Sequence, residues 1–310
     1  MADGEAYAQH RDHLVAVAYR MLGSHADAED AAQEAWLRYA GADATAVVNL
    51  RAWLTTVTAR ICLDMLRSAR VRRETYIGPW LPEPVVRRLP DPAFPEPADE
   101  VVRADEVSFA LLVVLEKLNP EQRVAFVLHD VFDVPFEEIA SVLSTTPAAA
   151  RQLASRARKA VAGDTIRHSA GRDEQRRVLA AFLAAAERGD IDGLLAVLAP
   201  EVVAIGDGGG VVPAGRRPVP GALQVARFMA GLWRQARRAT VLVTEPVLVN
   251  GDLGLLVELG APDGQLLRFV MGFAVADGRI TAVFDQVNPA KLERVPRPDP
   301  ARSGLWQGQL

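Results

Sequence analysis

The chain has 310 residues, of which 50% are hydrophobic, and a formal net charge of −4 at pH 7. The length accommodates two or three domains, and the composition excludes an intrinsically disordered protein. The charge excludes a polycation, so any surface that binds nucleic acid must be local. One cysteine, Cys62, excludes an intramolecular disulfide and a cysteine-based zinc site.

Other missing features give expectations about location and cofactors. No apolar run approaches the length of a membrane span, and the N-terminus lacks a signal-peptide pattern. We therefore expect a cytoplasmic protein with no membrane partner. The sequence indicates no cofactor and no metal site.

Residues 1–76 predict a first helical domain. Its first helix ends at Gly23, and Ser24 is placed to cap the next helix, which runs from His25 to Tyr39. That second helix carries acidic residues near its start, namely Asp27, Glu29, Asp30 and Glu34. Acidic residues there suit the helix dipole, and an acidic docking face for a basic partner is the functional alternative.

A long helix is predicted from Leu50 to Arg73, after a loop of polar and small residues. Towards its C-terminal end it holds five arginines within fourteen residues, namely Arg60, Arg67, Arg70, Arg72 and Arg73. Cations favour the C-terminal end of a helix dipole, but five of them exceed what the dipole requires. A nucleic-acid surface is the more economical interpretation.

Residues 77–103 predict a linker, and residues 104–170 predict a second helical domain. The linker holds seven prolines, which exclude a continuous helix or a central strand and favour an extended spacer. The second domain opens with a helix predicted from Val107 to Leu118. Asn119, Pro120 and Gln122 then fit a helix N-cap, a first-turn proline and a capping-box partner.

The stretch from Phe132 to Ala162 predicts two short helices joined by a tight turn. The first runs from Pro135 to Leu143, and the second starts with Thr146 as N-cap and Pro147. An apolar stripe, including Ala150, Leu153, Ala154, Ala157, Ala160 and Val161, lies opposite a polar and basic face. The pattern favours a helix-turn-helix that docks in a DNA groove. An ordinary amphipathic helix with a solvated basic face gives the same pattern.

Residues 171–292 predict an α+β domain, and residues 293–310 predict a mobile, proline-rich tail. Two helices joined at Gly189 lie between Asp173 and Ala199, a strand follows at Val202 to Ile205, and a helix spans Gly221 to Ala236. The β-rich runs are Thr240–Val249, Gly254–Leu259, Leu266–Val275 and Ile280–Gln286. This order favours an antiparallel meander curved over helices.

The segments HADAEDAAQEAWLRY, NLRAWLTTVTARICLDMLRS and LNPEQRVAFVLHDVFDVPFEEIASVLSTTPAAARQLASRARKAV together resemble the bacterial extracytoplasmic-function (ECF) sigma factors. The resemblance implies two all-α domains, sigma-2-like and sigma-4-like, that direct core RNA polymerase to specific promoters. It implies that the acidic helix docks on the β′ clamp helices and that the polymerase β flap is a further partner. The loop Gly41 to Asn49 would capture a flipped base, and the helix from Leu50 would lie along the downstream promoter element.

For the helix-turn-helix, the resemblance implies contacts with the upstream promoter element. The positions expected to contact bases are Ala149, Arg151, Gln152 and Ser155. Arg156 and Lys159 are better placed to contact phosphates.

The segment AAAERGDIDGLLAVLAPEVVAIGDGGG resembles the opening of the SnoaL-like, NTF2-like cone fold, which the SigJ-like subgroup of these sigma factors carries. ETYIGPWLPEP, which includes Trp80, resembles the linker of that subgroup. The resemblance implies that two motifs of the cone lie against the sigma core and regulate it. They are Asp207, Gly208, Gly209 and Gly210, and then Asn288, Pro289, Lys291 and Leu292. Val211 and Ala290 depart from the subgroup by removing charge.

Two alternative functions remain from the sequence. One is a helix-turn-helix regulator that acts without polymerase docking. The other is a cone-fold isomerase or cyclase, for which Asp285 and Asp207 are the candidate carboxylates. A general base needs an apolar setting and a substrate proton within reach, and the sequence shows neither. We therefore expect a regulatory domain rather than an enzyme.

Overall fold

The computed structural model describes residues 2–42, 47, 49–73, 76–89, 107–166, 168–212, 217–260, 264 and 266–303, with only the backbone of 2–7 and 69–73. The chain divides into two compact units. The helical unit comprises residues 1–75 and 114–163, and the cone unit comprises residues 76–113 and 164–310. The described part of the predicted linker therefore belongs to the cone unit.

The regular elements are numbered in chain order. The helices are α1 Ala2–Leu22, α2 His25–Ala40, α3 Leu50–Arg73, α4 Phe109–Leu115, α5 Pro120–Phe126, α6 Phe136–Val142, α7 Pro147–Ala162, α8 Arg172–Arg188, α9 Ile191–Val197 and α10 Ala222–Ala236. The strands are β1 Val86–Arg88, β2 Leu198–Asp207, β3 Val219–Pro220, β4 Val241–Val249, β5 Asp252–Gly260, β6 Leu266–Ala276 and β7 Arg279–Gln286.

In the helical unit, the first three helices pack through apolar stripes at helical spacing. Leu14, on α1, and Leu54, on α3, are fully buried in one cluster. Gly23 adopts a positive φ of 69° between α1 and α2, as a helix-ending glycine does. The Ser24 hydroxyl oxygen then accepts a hydrogen bond from the Asp27 amide at 3.3 Å, which confirms the predicted cap.

The helix-turn-helix, α6 and α7, also follows its sequence signals. Thr146 accepts a hydrogen bond from the Ala149 amide at 3.2 Å, and Asn119 and Gln122 form the predicted capping box of α5. The α7 residues Ala150, Ala154 and Ala157 are buried. The predicted apolar stripe is wrong at its end, because Ala160 is exposed.

The cone unit contains a sheet with strand order β1-β4-β5-β6-β7-β2-β3. Strands β4 to β7 form the predicted antiparallel meander. The sheet is nevertheless mixed, because β2 pairs with β7 in parallel. The linker supplies β1 as an edge strand that pairs antiparallel with β4. A proline-rich segment tolerates this position, since an edge strand needs only half of its backbone groups paired.

Helices α8 and α10 cover one face of this sheet. Phe182 of α8 packs edge-on against Phe273 of β6, with ring centroids 5.5 Å apart. Met229 and Trp233 of α10 belong to the same buried cluster. On β7, Phe284 contacts Phe109 of α4, with ring centroids 5.4 Å apart.

The segment after Glu293 differs from the predicted mobile tail. Val295 is buried, and its carbonyl oxygen accepts a hydrogen bond from Arg268 at 3.0 Å. The Asp299 amide donates to the buried Glu245 carboxylate at 2.8 Å. Glu245 requires such partners, because a buried carboxylate without them is strongly unfavourable. Residues 304–310 lie outside the described residues.

Candidate functional site

One face of α7 presents the predicted base- and phosphate-contacting residues. Arg151, Gln152, Arg156 and Lys159 are exposed, whereas Ala149 and Ser155 are half-buried. The Arg151 guanidinium lies over the Phe136 ring, 4.9 Å from its centroid, which limits the freedom of that side chain. Exposed guanidinium, amide and ammonium groups on one helix face are the donors that base edges and phosphates require.

The two described arginines of the predicted α3 surface contact the helix-turn-helix and the helix before it. Arg60 donates to both the carbonyl and the hydroxyl oxygen of Ser141 in α6, each at 2.9 Å. Arg67 forms an ion pair with Glu121 of α5 at 2.9 Å. Both arginines remain exposed. The side chains of Arg70, Arg72 and Arg73, and residues 43–46 and 48 of the predicted base-capturing loop, lie outside the described residues.

The predicted acidic face of α2 is partly engaged within the chain. Glu29 hydrogen-bonds Arg11 at 3.4 Å, and Glu34 hydrogen-bonds Arg38 at 3.1 Å. Asp30 is exposed, and Asp27 is half-buried. Sequence reasoning missed Leu37, which is 58% exposed and follows Asp30 and Glu34 at helical spacing. Leu37 therefore adds an exposed apolar side chain to the predicted acidic face.

The two cone motifs meet at a buried polar cluster that holds the start of the linker. The Asp207 carboxylate is fully buried and accepts hydrogen bonds from the Tyr76 hydroxyl at 2.6 Å and the Leu81 amide at 2.9 Å. Lys291 bonds the same carboxylate at 2.7 Å and the Leu81 carbonyl oxygen at 2.5 Å. Burial and the hydrogen bond to Asp207 raise the pKa of Tyr76.

The remaining motif residues shape and close this anchor cluster, which we define as Tyr76, Leu81, Asp207 and Lys291. Gly209 has a positive φ of 63°, and a Cβ there would lie 2.6 Å from the Asn288 side chain. That side chain donates to the Tyr76 hydroxyl at 3.0 Å. Lys291 also lies over the Trp80 ring, 3.9 Å from its centroid. Gly208 and Leu292 are buried, Gly210 is exposed beside Ile77, and Pro289 begins a short 3-10 turn.

Further along the linker, a second set of contacts was not anticipated from the sequence. The backbone N–H of Asn250 donates to the Val85 carbonyl oxygen at 2.8 Å, and the Asn250 side-chain oxygen accepts from the Val85 N–H at 3.0 Å. Arg88 of β1 pairs with the buried Glu245 at 3.1 Å. The sequence held a signal for Glu245, because it is an acidic residue inside the otherwise apolar pattern of β4. The signal for Tyr76 was its position close to the Trp80 segment. The uncharged Val211 is 76% exposed and takes no part in the anchor cluster.

The two candidate carboxylates of the cone differ in their surroundings. The Asp207 carboxylate already accepts hydrogen bonds from Tyr76 and Leu81. Asp285 lines a cavity, and burial raises its pKa to about 7. Within the described ranges, no cluster of three or more metal-ligating side chains is found, and no helix is long and apolar enough to cross a membrane.

Comparison with protein families gives three matches along the chain. The family models for Sigma-70 region 2, Sigma-70 region 4 and the SnoaL-like domain match residues 6–72, 108–161 and 179–283, respectively. A relative from Mycobacterium tuberculosis, the ECF RNA polymerase sigma factor SigJ, is 46% identical over 290 residues, covering 92% of each chain. The probable ECF RNA polymerase sigma factor SigI of the same species is 37% identical over 306 residues, covering 98% of this chain and 97% of the relative.

A solved structure gives the same match in three dimensions. The crystal structure of the Mycobacterium tuberculosis ECF sigma factor SigJ aligns with a TM-score of 0.73 and 44% sequence identity. The alignment covers 93% of this chain and 97% of that chain. The names of these relatives favour neither the regulator without polymerase docking nor the cone-fold enzyme.

Proposed function

The chain belongs to the extracytoplasmic-function family of RNA polymerase sigma factors, and we propose that its structure is a closed form that must open at a promoter. In this proposal the chain directs core RNA polymerase to specific promoters. The helical unit supplies the contacts with polymerase and DNA. The cone unit regulates those contacts by holding the linker.

The observation that supports a closed form is the pairing of α3 with the helix-turn-helix module. Arg60 lies 2.9 Å from Ser141, and Arg67 lies 2.9 Å from Glu121. Two promoter elements bound by separate modules stand more than one helical turn apart, and one turn of B-DNA is about 34 Å. The module formed by α1 to α3 and the module that contains the helix-turn-helix cannot keep these contacts while each binds its own promoter element. Opening also frees both arginines for promoter DNA.

In the open form we assign α7 to the upstream element. Arg151, Gln152, Ser155 and Ala149 would contact base edges, because the first turns of a recognition helix enter the major groove. Arg156 and Lys159 would neutralise phosphates further along the helix. The far end of α3 would follow the downstream element through its arginines.

The acidic face of α2 is the surface that we assign to polymerase. Asp27, Glu29, Asp30 and Glu34 would meet the basic β′ clamp helices, with Leu37 supplying an apolar contact. A charge-reversed variant, Asp27→Lys with Asp30→Lys, should abolish polymerase binding. A regulator that acts without polymerase would tolerate it. The β flap remains a further expected partner.

The linker supports the regulatory part of the proposal. Residues 76–89 are held at one end by the anchor cluster and at the other by the pairing of β1 with β4. Holding fourteen residues removes roughly 45 Å of extended reach from the connection between the two promoter-binding modules. That loss exceeds one turn of B-DNA. The cone unit would thereby decide whether the two modules can span a promoter.

Opening can be measured by fluorescence energy transfer in the full-length protein. Ser68 and Thr145 are exposed, so cysteines there accept a dye pair, while Cys62 is buried and burial raises its thiol pKa. Adding core polymerase and promoter DNA should reduce energy transfer. Unchanged transfer in a complex that initiates transcription would contradict the closed form, without affecting the family assignment.

A matched pair of variants tests the ion pair between Arg67 and Glu121 by changing Glu121, which contacts no DNA in the proposal. Glu121→Lys places a like charge beside Arg67 and should favour the open form before polymerase is added. Glu137→Lys makes the same charge change at an exposed α6 residue and should leave energy transfer unchanged. Equal responses would show that net charge, rather than the ion pair, controls the equilibrium.

A further inference from the structure

The cone unit encloses a cavity of about 510 Å³ between α10 and the sheet. Its wall is mainly apolar and includes Phe228, Leu232, Trp233, Leu259, Phe269 and Met271. This volume falls within the range of pockets that bind small molecules, and such pockets combine an apolar lining with a few polar groups. The exposed residues Arg217, Arg238 and Leu242 also line the cavity, so it opens to the surface at that end.

The polar group of the deep wall is Asp285. Its side chain lines the cavity, the residue is 7% exposed, and Oδ1 has no hydrogen-bond partner among the described residues. Buried polar atoms are nearly always hydrogen-bonded, so a carboxyl oxygen left unpaired beside an open space indicates a binding function. Stability alone would favour an apolar residue here, because an unpaired buried polar atom is unfavourable.

The chemistry of this carboxyl limits the group that it would bind. Because burial raises its pKa to about 7, both protonation states are populated near neutral pH. A hydroxyl group pairs with either state, since it donates to the carboxylate and accepts from the neutral acid. A carbonyl only accepts, so it pairs only with the neutral acid, and an ammonium gains a charge-assisted hydrogen bond only from the carboxylate.

We propose that this cavity is a binding site for a small, mainly apolar molecule whose single buried hydroxyl group hydrogen-bonds Asp285. The site lies against the strand that holds the linker. Side chains alternate along β7, so Asp285 faces the cavity while Gln286 donates to the Pro82 carbonyl oxygen of the linker at 3.0 Å. The binding site itself does not depend on the proposed closed form.

The test compares two probes of similar shape, 2-naphthol and 2-methylnaphthalene, by isothermal titration calorimetry on the full-length protein. The wild type should bind 2-naphthol at least about tenfold more tightly, because a buried group built to pair with a hydroxyl rejects the analogue that lacks it. Asp285→Leu should remove this preference. Asp285→Asn retains hydrogen-bonding atoms and should keep it, which covers the possibility that the leucine variant does not fold.

A second pair of variants locates the probe. Leu259→Trp adds bulk to the cavity wall and should weaken both probes about tenfold or more. Leu266→Trp makes the same change at an exposed position outside the lining and should leave both affinities unchanged. The proposal is overturned if neither probe binds at about 1 mM. It is also overturned if the wild type shows no preference, if the preference survives in Asp285→Leu, or if Leu259→Trp has no effect.

Discussion

The two ion pairs on which the proposed regulation depends lie in very different surroundings. In the helical unit, Arg67 and Glu121 are 51% and 34% exposed. In the cone unit, Lys291 and Asp207 are 10% and 0% exposed. Breaking an exposed pair costs about 0.2–1 kcal/mol, whereas removing one partner of a buried pair costs about 3–5 kcal/mol. The linker is therefore held firmly, while the two promoter-binding modules are held by contacts that polymerase and DNA can readily replace.

The largest expected effect comes from Asp207→Ala. The substitution leaves the Lys291 ammonium, the Tyr76 hydroxyl and the Leu81 amide without their shared acceptor. We expect local opening of the linker to become easier by about 3–5 kcal/mol. Limited trypsin digestion measures this opening, because Arg87 and Arg88 are cleavage sites within β1. Cleavage there should become at least about a hundredfold faster.

The control for that experiment is Asp190→Ala. Asp190 also accepts a backbone hydrogen bond through its carboxylate, from Gly193 at 2.9 Å, but it caps α9. Its loss should cost about 1 kcal/mol and leave cleavage at β1 unchanged. Wild-type cleavage rates in Asp207→Ala would mean that the anchor cluster does not hold the linker, and the contrast between the two pairs would disappear.

A second prediction compares the paired Asp207 with the unpaired Asp285. Because the pKa of Asp285 rises from 3.8 to about 7 on folding, the folded state binds its proton more tightly than the unfolded state. Stability from this group is therefore fully present below about pH 4 and falls as pH rises to about 7, by roughly 4 kcal/mol in all, of which about 3 kcal/mol is lost above about pH 5.

Asp285→Asn removes this dependence and provides the reference. Urea unfolding of both proteins, followed by tryptophan fluorescence at about pH 5 and about pH 8, gives the difference in unfolding free energy. Wild type should lose stability relative to the variant at the higher pH. A difference that is the same at both pH values would show that the folded protein does not hold Asp285 neutral.

The third prediction concerns the exposed arginines of α7, which we propose contact the upstream promoter element. Arg151→Ala should cost about 1–3 kcal/mol at one base position of the upstream element. Arg156→Ala should weaken binding more evenly across sequences, because a phosphate contact carries no base information. Transcription from a promoter library with each base varied measures both effects. Equal losses on matched and mismatched promoters for both variants would contradict this division.

Local signals in the sequence predicted most of the elements. The bounds of α3, Leu50 to Arg73, were predicted correctly, because apolar residues at helical spacing are a local signal. The edge strand β1 was missed, since three linker residues form a strand only when β4 offers its edge. The order of the tail was missed for the same reason, because the partner of Asp299 is Glu245, far away in the sequence.

The surroundings of the two candidate carboxylates could not be predicted either, because they also depend on residues far apart in the sequence. Asp207 and Asp285 look alike in the sequence, as carboxylates near the ends of β-strands. The fold separates them, because Tyr76 and Lys291 surround the first and apolar side chains surround the second. The motifs containing Asp207 and Lys291 were assigned from the family resemblance. Their contact with the particular segment Tyr76 to Pro82 required three-dimensional coordinates.

The smallest expected effect is also the most direct comparison of the two pairs. Raising salt from about 0.05 M to about 0.5 M shortens the screening length severalfold, and this weakens exposed ion pairs much more than buried ones. Energy transfer between dyes at positions 68 and 145 should therefore fall with salt, while trypsin cleavage at Arg88 should not change. At about 0.05 M salt, Glu121→Gln should lower the energy transfer as added salt does. The loss of this exposed ion pair should destabilise the closed form by at most about 1 kcal/mol. If salt instead releases the linker and leaves the dye pair unaffected, the ranking of the two contacts is reversed, and the linker rather than the α3 contact is the step that opens first.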